Sequence, residues 1–108
     1  VSVRDILRAV FPGGTITGCP KIRCMEIIKE LEPASRGPYC GSFGYIGFSR
    51  YMDLNIIIRT ILLNDGKACF NVGAGIVADS CPDKEYMETL DKAAAMVQVL
   101  SQQKFRGR

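Results

Sequence analysis

Arg59 stands in the run LNIIIRTILL (Leu54 to Leu63), most of whose members are aliphatic. A guanidinium in such surroundings is costly to bury without an anion to pair with. Its rigid fork of donors suits a carboxylate, which could be a side chain of the protein itself or part of a bound ligand. Gly73 and Gly75, in GAGIVADS, follow the next apolar run and could bring backbone amides to the same anion. A plain connection between strand and helix would use the same residues. Glu85 and Glu88 lie one helical turn apart, a spacing that lets both face one hard cation such as Mg2+, which keeps several waters and bridges protein to an anionic ligand. Acids in the first turn of a helix also occur simply because the helix dipole favours them. Lys92 either answers a second carboxylate or pairs with Glu88 at i+4, and Tyr45 offers a phenol to the same ligand or packs in a core. Together these residues describe a site for a small anion with at least one carboxylate, and a divalent metal.

Composition narrows the chemistry further. The 108 residues fit one domain, and 47% are apolar, enough to bury a core. There is no histidine, which removes Ser-His-Asp and Cys-His catalysis and leaves acid or base work to carboxylates, lysines or another part of the protein. Five cysteines (Cys19, Cys24, Cys40, Cys69, Cys81) form no C-x-x-C pair, so free thiols in a reducing cytosol are expected. A net charge of +3, scattered apart from the tail Lys104, Arg106 and Arg108, gives no electrostatic case for nucleic acid. No signal peptide opens the chain and no apolar run approaches the ~20 residues of a membrane helix, so a cytoplasmic protein is expected. Two nucleotide-binding fingerprints fail. Gly13 to Gly18 has P-loop spacing, but Cys19-Pro20-Lys21 replaces Gly-Lys-Ser/Thr. Gly73 to Ala78 matches G-x-G-x-x-A, yet Asp79 to Pro82 delays the helix, and the region about 20 residues on is helical instead of a strand ending in an acid.

The elements that must position these residues can be read from periodicity. Ser2 and Asp5 resemble a capping box before a short helix that ends ahead of Pro12-Gly13-Gly14. A loop follows, then a helix with proline in its first turn, Ile22, Met25, Ile28 and Leu31 on one face, and Pro33 as its stop. Ser42 to Ser49 (SFGYIGFS) reads as a strand whose glycines allow another backbone to approach closely. Leu54 to Leu63 reads as a central strand covered on both faces, turned by Asn64-Asp65-Gly66 into a hairpin partner, Lys67 to Val72. Pro82 starts a last helix with Tyr86, Leu90, Ala93, Ala94, Val97 and Leu100 on one stripe, and Glu85, Glu88 and Lys92 on another face. The predicted class is α+β, with three antiparallel strands and packing helices. Such a sheet leaves strong edges and faces that call for more structure, so residues 1–108 read as a piece of a larger domain, prone to self-associate through exposed strand edges.

The motifs FPGGTITGCPKIRCMEIIKELEP, GYIGF, MDLNIIIRT, GAGIVADS and EYMETLDKA follow one another as in the C-terminal part of chorismate-utilising enzymes, a resemblance that spans almost all of residues 6–97. The forms GGTITG and PYCGSFGY look more like the aminodeoxychorismate synthase component I branch than the near alternative, anthranilate synthase component I. The resemblance implies a C-terminal fragment of the chorismate-binding fold. It also implies amination of chorismate with loss of the 4-hydroxyl, by ammonia from a glutamine amidotransferase subunit or domain, in the presence of Mg2+. By that resemblance Glu85 and Glu88 are metal-site carboxylates, and Arg59 with the Gly73 and Gly75 amides grips the enolpyruvyl carboxylate. Tyr45 lies beside that group, Lys92 near the metal-bound end, and Thr17 against the ring. Cys19 departs from the alanine or serine expected between Gly18 and Pro20. The family's upstream Pro-Ile-Lys-Gly-Thr motif, its histidine and its upstream glutamates are not in these 108 residues, so no catalytic residue is assigned here and the chain alone is expected to be inactive. The competing expectations are a non-catalytic small-anion binding module and an inert remnant.

Overall fold

The structure, a computed structural model, describes residues 1–102, so the basic tail lies outside the described residues. Helix α1 (Val3–Val10) starts at the expected capping box: the Asp5 amide donates to Ser2 Oγ at 3.2 Å and the Ser2 amide to Asp5 Oδ2 at 3.1 Å. A single helical turn, α2 (Gly14–Thr17), occupies what the sequence suggested was loop, and α3 (Lys21–Leu31) follows directly after Pro20. Strands β1 (Ser42–Ile46) and β2 (Met52–Ile56) pair antiparallel with Gly44 opposite Leu54. Strands β3 (Leu62–Asn64) and β4 (Lys67–Cys69) form a second hairpin, closed by Asp65 and Gly66 at φ of 47° and 72° as a tight two-residue turn requires. Helix α4 (Pro82–Gln102) completes the α+β arrangement.

The single strand expected over Leu54 to Leu63 is not formed, and the three-stranded sheet built on it becomes two two-stranded sheets. Pairing continues one step past β2, with the Cys40 amide on the Ile57 carbonyl at 2.8 Å and the Ile57 amide on the Gly41 carbonyl at 3.0 Å. The chain then turns: Arg59 has a φ of 51°, in the left-handed region that a strand does not use. An apolar run predicts burial, but it does not report where a backbone breaks. Here the break falls at the one charged residue of the run.

Gly44 shows why β1 carries a glycine. A Cβ at this position would overlap the Asp53 carbonyl oxygen and lie 2.8 Å from the Leu54 Cα, both of them backbone on the facing strand. Gly44→Ala is therefore expected to destabilise by about 3 kcal/mol, since strand separation is the only relief, with chemical denaturation as the measurement.

The helices and hairpins do not close over a core. Met96, at 8% exposure, is the sole buried hydrophobic residue among those described, and on the expected α4 stripe Tyr86 remains 64% exposed. The total accessible surface is 9486 Å², against about 5,900 Å² for a compact monomer of this mass. All five cysteines are free, and no helix among the described residues is long and apolar enough to cross a membrane.

Candidate functional site

The break at Arg59 is what builds the site. It delivers Ile58, Arg59 and Ile61 to a cleft of about 690 Å³, which Thr15 of α2, Tyr39, the irregular segment 71–75, and Lys92 and Met96 of α4 also line. The Arg59 side chain is exposed instead of buried, and among the described residues its guanidinium makes no hydrogen bond and no ion pair, so the internal carboxylate partner that the sequence left open is not found among them. Lys92 Nζ donates to the Gly73 carbonyl at 3.0 Å and to Glu88 Oε1 at 2.6 Å. This fixes the carbonyl side of the 73–75 segment against α4. The amides of Gly73 and Gly75 donate no hydrogen bond among the described residues and remain available to an acceptor. Arg59, Gly73, Gly75 and Lys92 thus line one cleft.

Glu85 and Glu88 take different places. Glu85 lines a smaller hollow of about 310 Å³ that shares Ala74 with the cleft, and its Oε2 is buried without a hydrogen-bond partner. Glu88 is half exposed and already paired with Lys92. Among the described residues no cluster of three cysteines or carboxylates could enclose a metal ion. The orphaned Glu85 oxygen and the carboxylate one turn away fit one side of a hydrated Mg2+ site whose remaining ligands come from water and from an anionic ligand.

Two residues stand apart from the cleft. Tyr45 on β1 is 57% exposed, packs against Tyr51 at 5.9 Å between ring centroids, and does not line the cleft. Thr17 turns its hydroxyl back onto the Gly13 and Gly18 carbonyls, at 3.4 and 3.0 Å, and faces a neighbouring groove. In their place the structure brings Tyr39 and Thr15 to the cleft. The phenol of Tyr39 comes so close to Gly73 that a Cβ there would lie 2.9 Å from its oxygen. Burial pushes the Tyr39 phenol above its ordinary pKa, so at neutral pH it is a protonated donor. No periodicity flagged Tyr39, because it sits in the turn-rich stretch Pro33 to Gly41. Its spacing from Arg59 becomes meaningful only after β1 and β2 pair.

Gly73→Ala is expected to displace the Tyr39 phenol and leave the fold intact, since a side chain yields where backbone would not. A shift of the Tyr39 ring resonances by NMR, with a melting temperature within about 2 °C of wild type, is the expected result.

A guanidinium without a partner among the described residues, free backbone amides, a half-buried phenol and an ammonium on one cleft, with two carboxylates beyond, form a surface for an anion with two unlike ends. Residues 1–98 match the family described as chorismate binding enzyme. The chain belongs to that family. It is 57% identical over 96 residues to an anthranilate synthase component I-like protein of Synechocystis sp., covering 89% of this chain and 20% of that protein. Aminodeoxychorismate synthase component 1 of Bacillus subtilis is 55% identical over 96 residues, with 89% and 20% covered, and that of Salmonella typhimurium 56% over 88 residues, with 82% and 19% covered. As a chorismate binding family member, the chain spans about a fifth of the length of these relatives.

Proposed function

We propose that residues 1–108 are the C-terminal segment of an incomplete chorismate-binding domain, in an enzyme that aminates chorismate to 4-amino-4-deoxychorismate on the route to para-aminobenzoate and folate. The observation that carries this reading is the unpaired Arg59 guanidinium, facing the same cleft as the free Gly73 and Gly75 amides. Chorismate carries two carboxylates. The enolpyruvyl one would be held by Arg59, the two amides and the Tyr39 phenol, and the ring carboxylate would point past Lys92 toward Glu85 and Glu88. Those two glutamates would hold Mg2+, which when bound supplies Lewis-acid charge beside the ring carboxylate. Ammonia from a glutamine amidotransferase partner forms the new C–N bond, the C4–O bond breaks, and the hydroxyl leaves with a proton as water. No residue among those described is assigned to move that proton, so the segment alone is proposed to bind without turnover. The large exposed apolar surface and the fivefold greater length of the relatives support a missing complement.

A second reading is favoured by the relatives themselves, since proteins named anthranilate synthase match as strongly as those named aminodeoxychorismate synthase. Incubating the complete polypeptide encoded by the gene with chorismate, Mg2+ and ammonium separates the two. A product that a lyase converts to para-aminobenzoate supports the proposal. Anthranilate with release of pyruvate replaces the reaction and keeps the binding roles, and no aminated product leaves a non-catalytic anion-binding module.

A further inference from the structure

Tyr39 reaches Gly73 from a loop, so something must hold that loop. Glu32 caps the C-terminus of α3 with its amide on the Ile28 carbonyl at 2.9 Å, which fixes its backbone to the helix. Four residues on, Arg36 forks its carboxylate: Nε donates to Oε2 at 2.8 Å and to Oε1 at 3.1 Å, and Nη2 also donates to Oε1. At 26% and 37% side-chain exposure this is the least exposed ion pair among the described residues. The same guanidinium lies 5.7 Å from the centre of the Tyr39 ring, and the Tyr39 amide donates to the Arg36 carbonyl at 3.2 Å. The Glu32 hydrogen bonds and charge also make the Arg36 guanidinium more basic than usual, and Arg36 in turn holds the Glu32 carboxyl below the usual range.

We propose that Arg36, clamped by Glu32, is a positioning residue that holds the Tyr39 phenol at the Gly73 end of the cleft and so sets how tightly a ligand carboxylate is bound there. The binding consequence rests on the chorismate reading above. A planar fork locked at one edge has a fixed face to offer an aromatic ring, which a flexible ammonium does not. The arrangement runs without interruption from the end of α3, through Glu32 and Arg36, to the phenol and the glycine it touches. Arg36 also lines the cleft itself, but the edge formed by its Nε and Nη2 is turned to Glu32. In this proposal its effect on a ligand passes through the Tyr39 ring it packs against.

The test uses the complete polypeptide with chorismate as substrate and the variants Arg36→Gln, Glu32→Gln, Tyr39→Phe and the double variant Tyr39→Phe with Arg36→Gln. A hydrogen bond to a charged group is worth roughly tenfold or more in binding. Arg36→Gln should raise KM about tenfold with kcat within about twofold, and Glu32→Gln should raise it about threefold. On the Tyr39→Phe background the Arg36 change should add less than about twofold, because a residue that acts through the phenol loses its effect when the hydroxyl is gone. An Arg36 effect of equal size on both backgrounds, or a fall in kcat at constant KM, overturns the proposal. A second readout needs no turnover: with ring-labelled tyrosine, Arg36→Gln should move the Tyr39 resonances and raise its titration further, since the guanidinium opposes the rise caused by burial. If wild type ignores chorismate the functional reading fails, and the resonances still decide the positioning. Tyr39 signals unmoved by both Arg36→Gln and Glu32→Gln would sink it.

Discussion

Replacing Arg59 with alanine in the complete polypeptide is expected to raise KM for chorismate about 100-fold or more and leave the melting temperature within about 2 °C of wild type. Truncating one partner of a hydrogen-bonded charge pair costs roughly 2–5 kcal/mol, much of it from the charge left behind without a partner. Among the described residues the guanidinium has no partner to abandon, so the contacts seen here lose nothing when it is removed. Arg59→Lys should recover only part of the loss, because a point charge does not reproduce the paired donors. The backbone supplies an internal control. With φ at 51° any L side chain at this position carries a cost of about 1–2 kcal/mol that glycine does not, so Arg59→Gly should abolish tight binding without lowering the melting temperature. Unchanged chorismate kinetics in Arg59→Ala or Arg59→Gly would remove Arg59 from the site and, with it, the observation on which the proposed function stands.

The chemistry of the site was more legible than its scaffold. Arg59, Gly73 and Gly75 were marked by residue type in an unsuitable or permissive context, a charge inside an aliphatic run or glycine after a strand, and Lys92 by its i+4 spacing from Glu88; all of these signals are local. The helix starts were also local, as Ser2, Asp5 and Pro20 show. The strand Leu54 to Leu63 failed because hydrophobicity marks a segment that tends to be covered and says nothing of where its backbone turns, and the covering expected on both faces is absent among the described residues, with Ile56, Ile58, Leu62 and Leu63 exposed. Tyr45 and Tyr39 show the complementary gap. Both lie six residues apart in a stretch rich in glycine and aromatics, and only the β1 to β2 register, with Tyr45 opposite Asp53, puts one beside Tyr51 and leaves the other at the cleft. The α4 stripe was read correctly as apolar, but its partner is not among the described residues, and Leu90 and Val97 stay exposed.

The two glutamates should respond unequally to removal. Glu85 Oε2 is already desolvated and lacks a partner, so a cation arriving there takes nothing away, whereas Glu88 must first exchange the Lys92 ammonium 2.6 Å away. Unit charges 4 Å apart attract by about 1 kcal/mol even in water, so a divalent ion loses about 2 kcal/mol, roughly 30-fold in affinity, when one adjacent carboxylate becomes an amide. Glu85→Gln is therefore expected to weaken Mg2+ binding about 30-fold or more. Glu88→Gln should weaken it less, by about tenfold, because it also frees Lys92 from its carboxylate and part of the lost attraction is offset by the exchange no longer required. Calorimetric titration with Mg2+ reads this directly. Thermal unfolding gives an independent measure, since an ion that binds only the folded state raises the melting temperature in proportion to the logarithm of its concentration over Kd. A Mg2+-dependent rise that persists in Glu85→Gln but vanishes in Glu88→Gln would reverse the order, and would mean that Lys92 holds Glu88 ready for the cation instead of competing with it. Equal, undiminished binding in both variants would place the metal elsewhere in the complete protein and leave the orphaned Glu85 oxygen without a ligand.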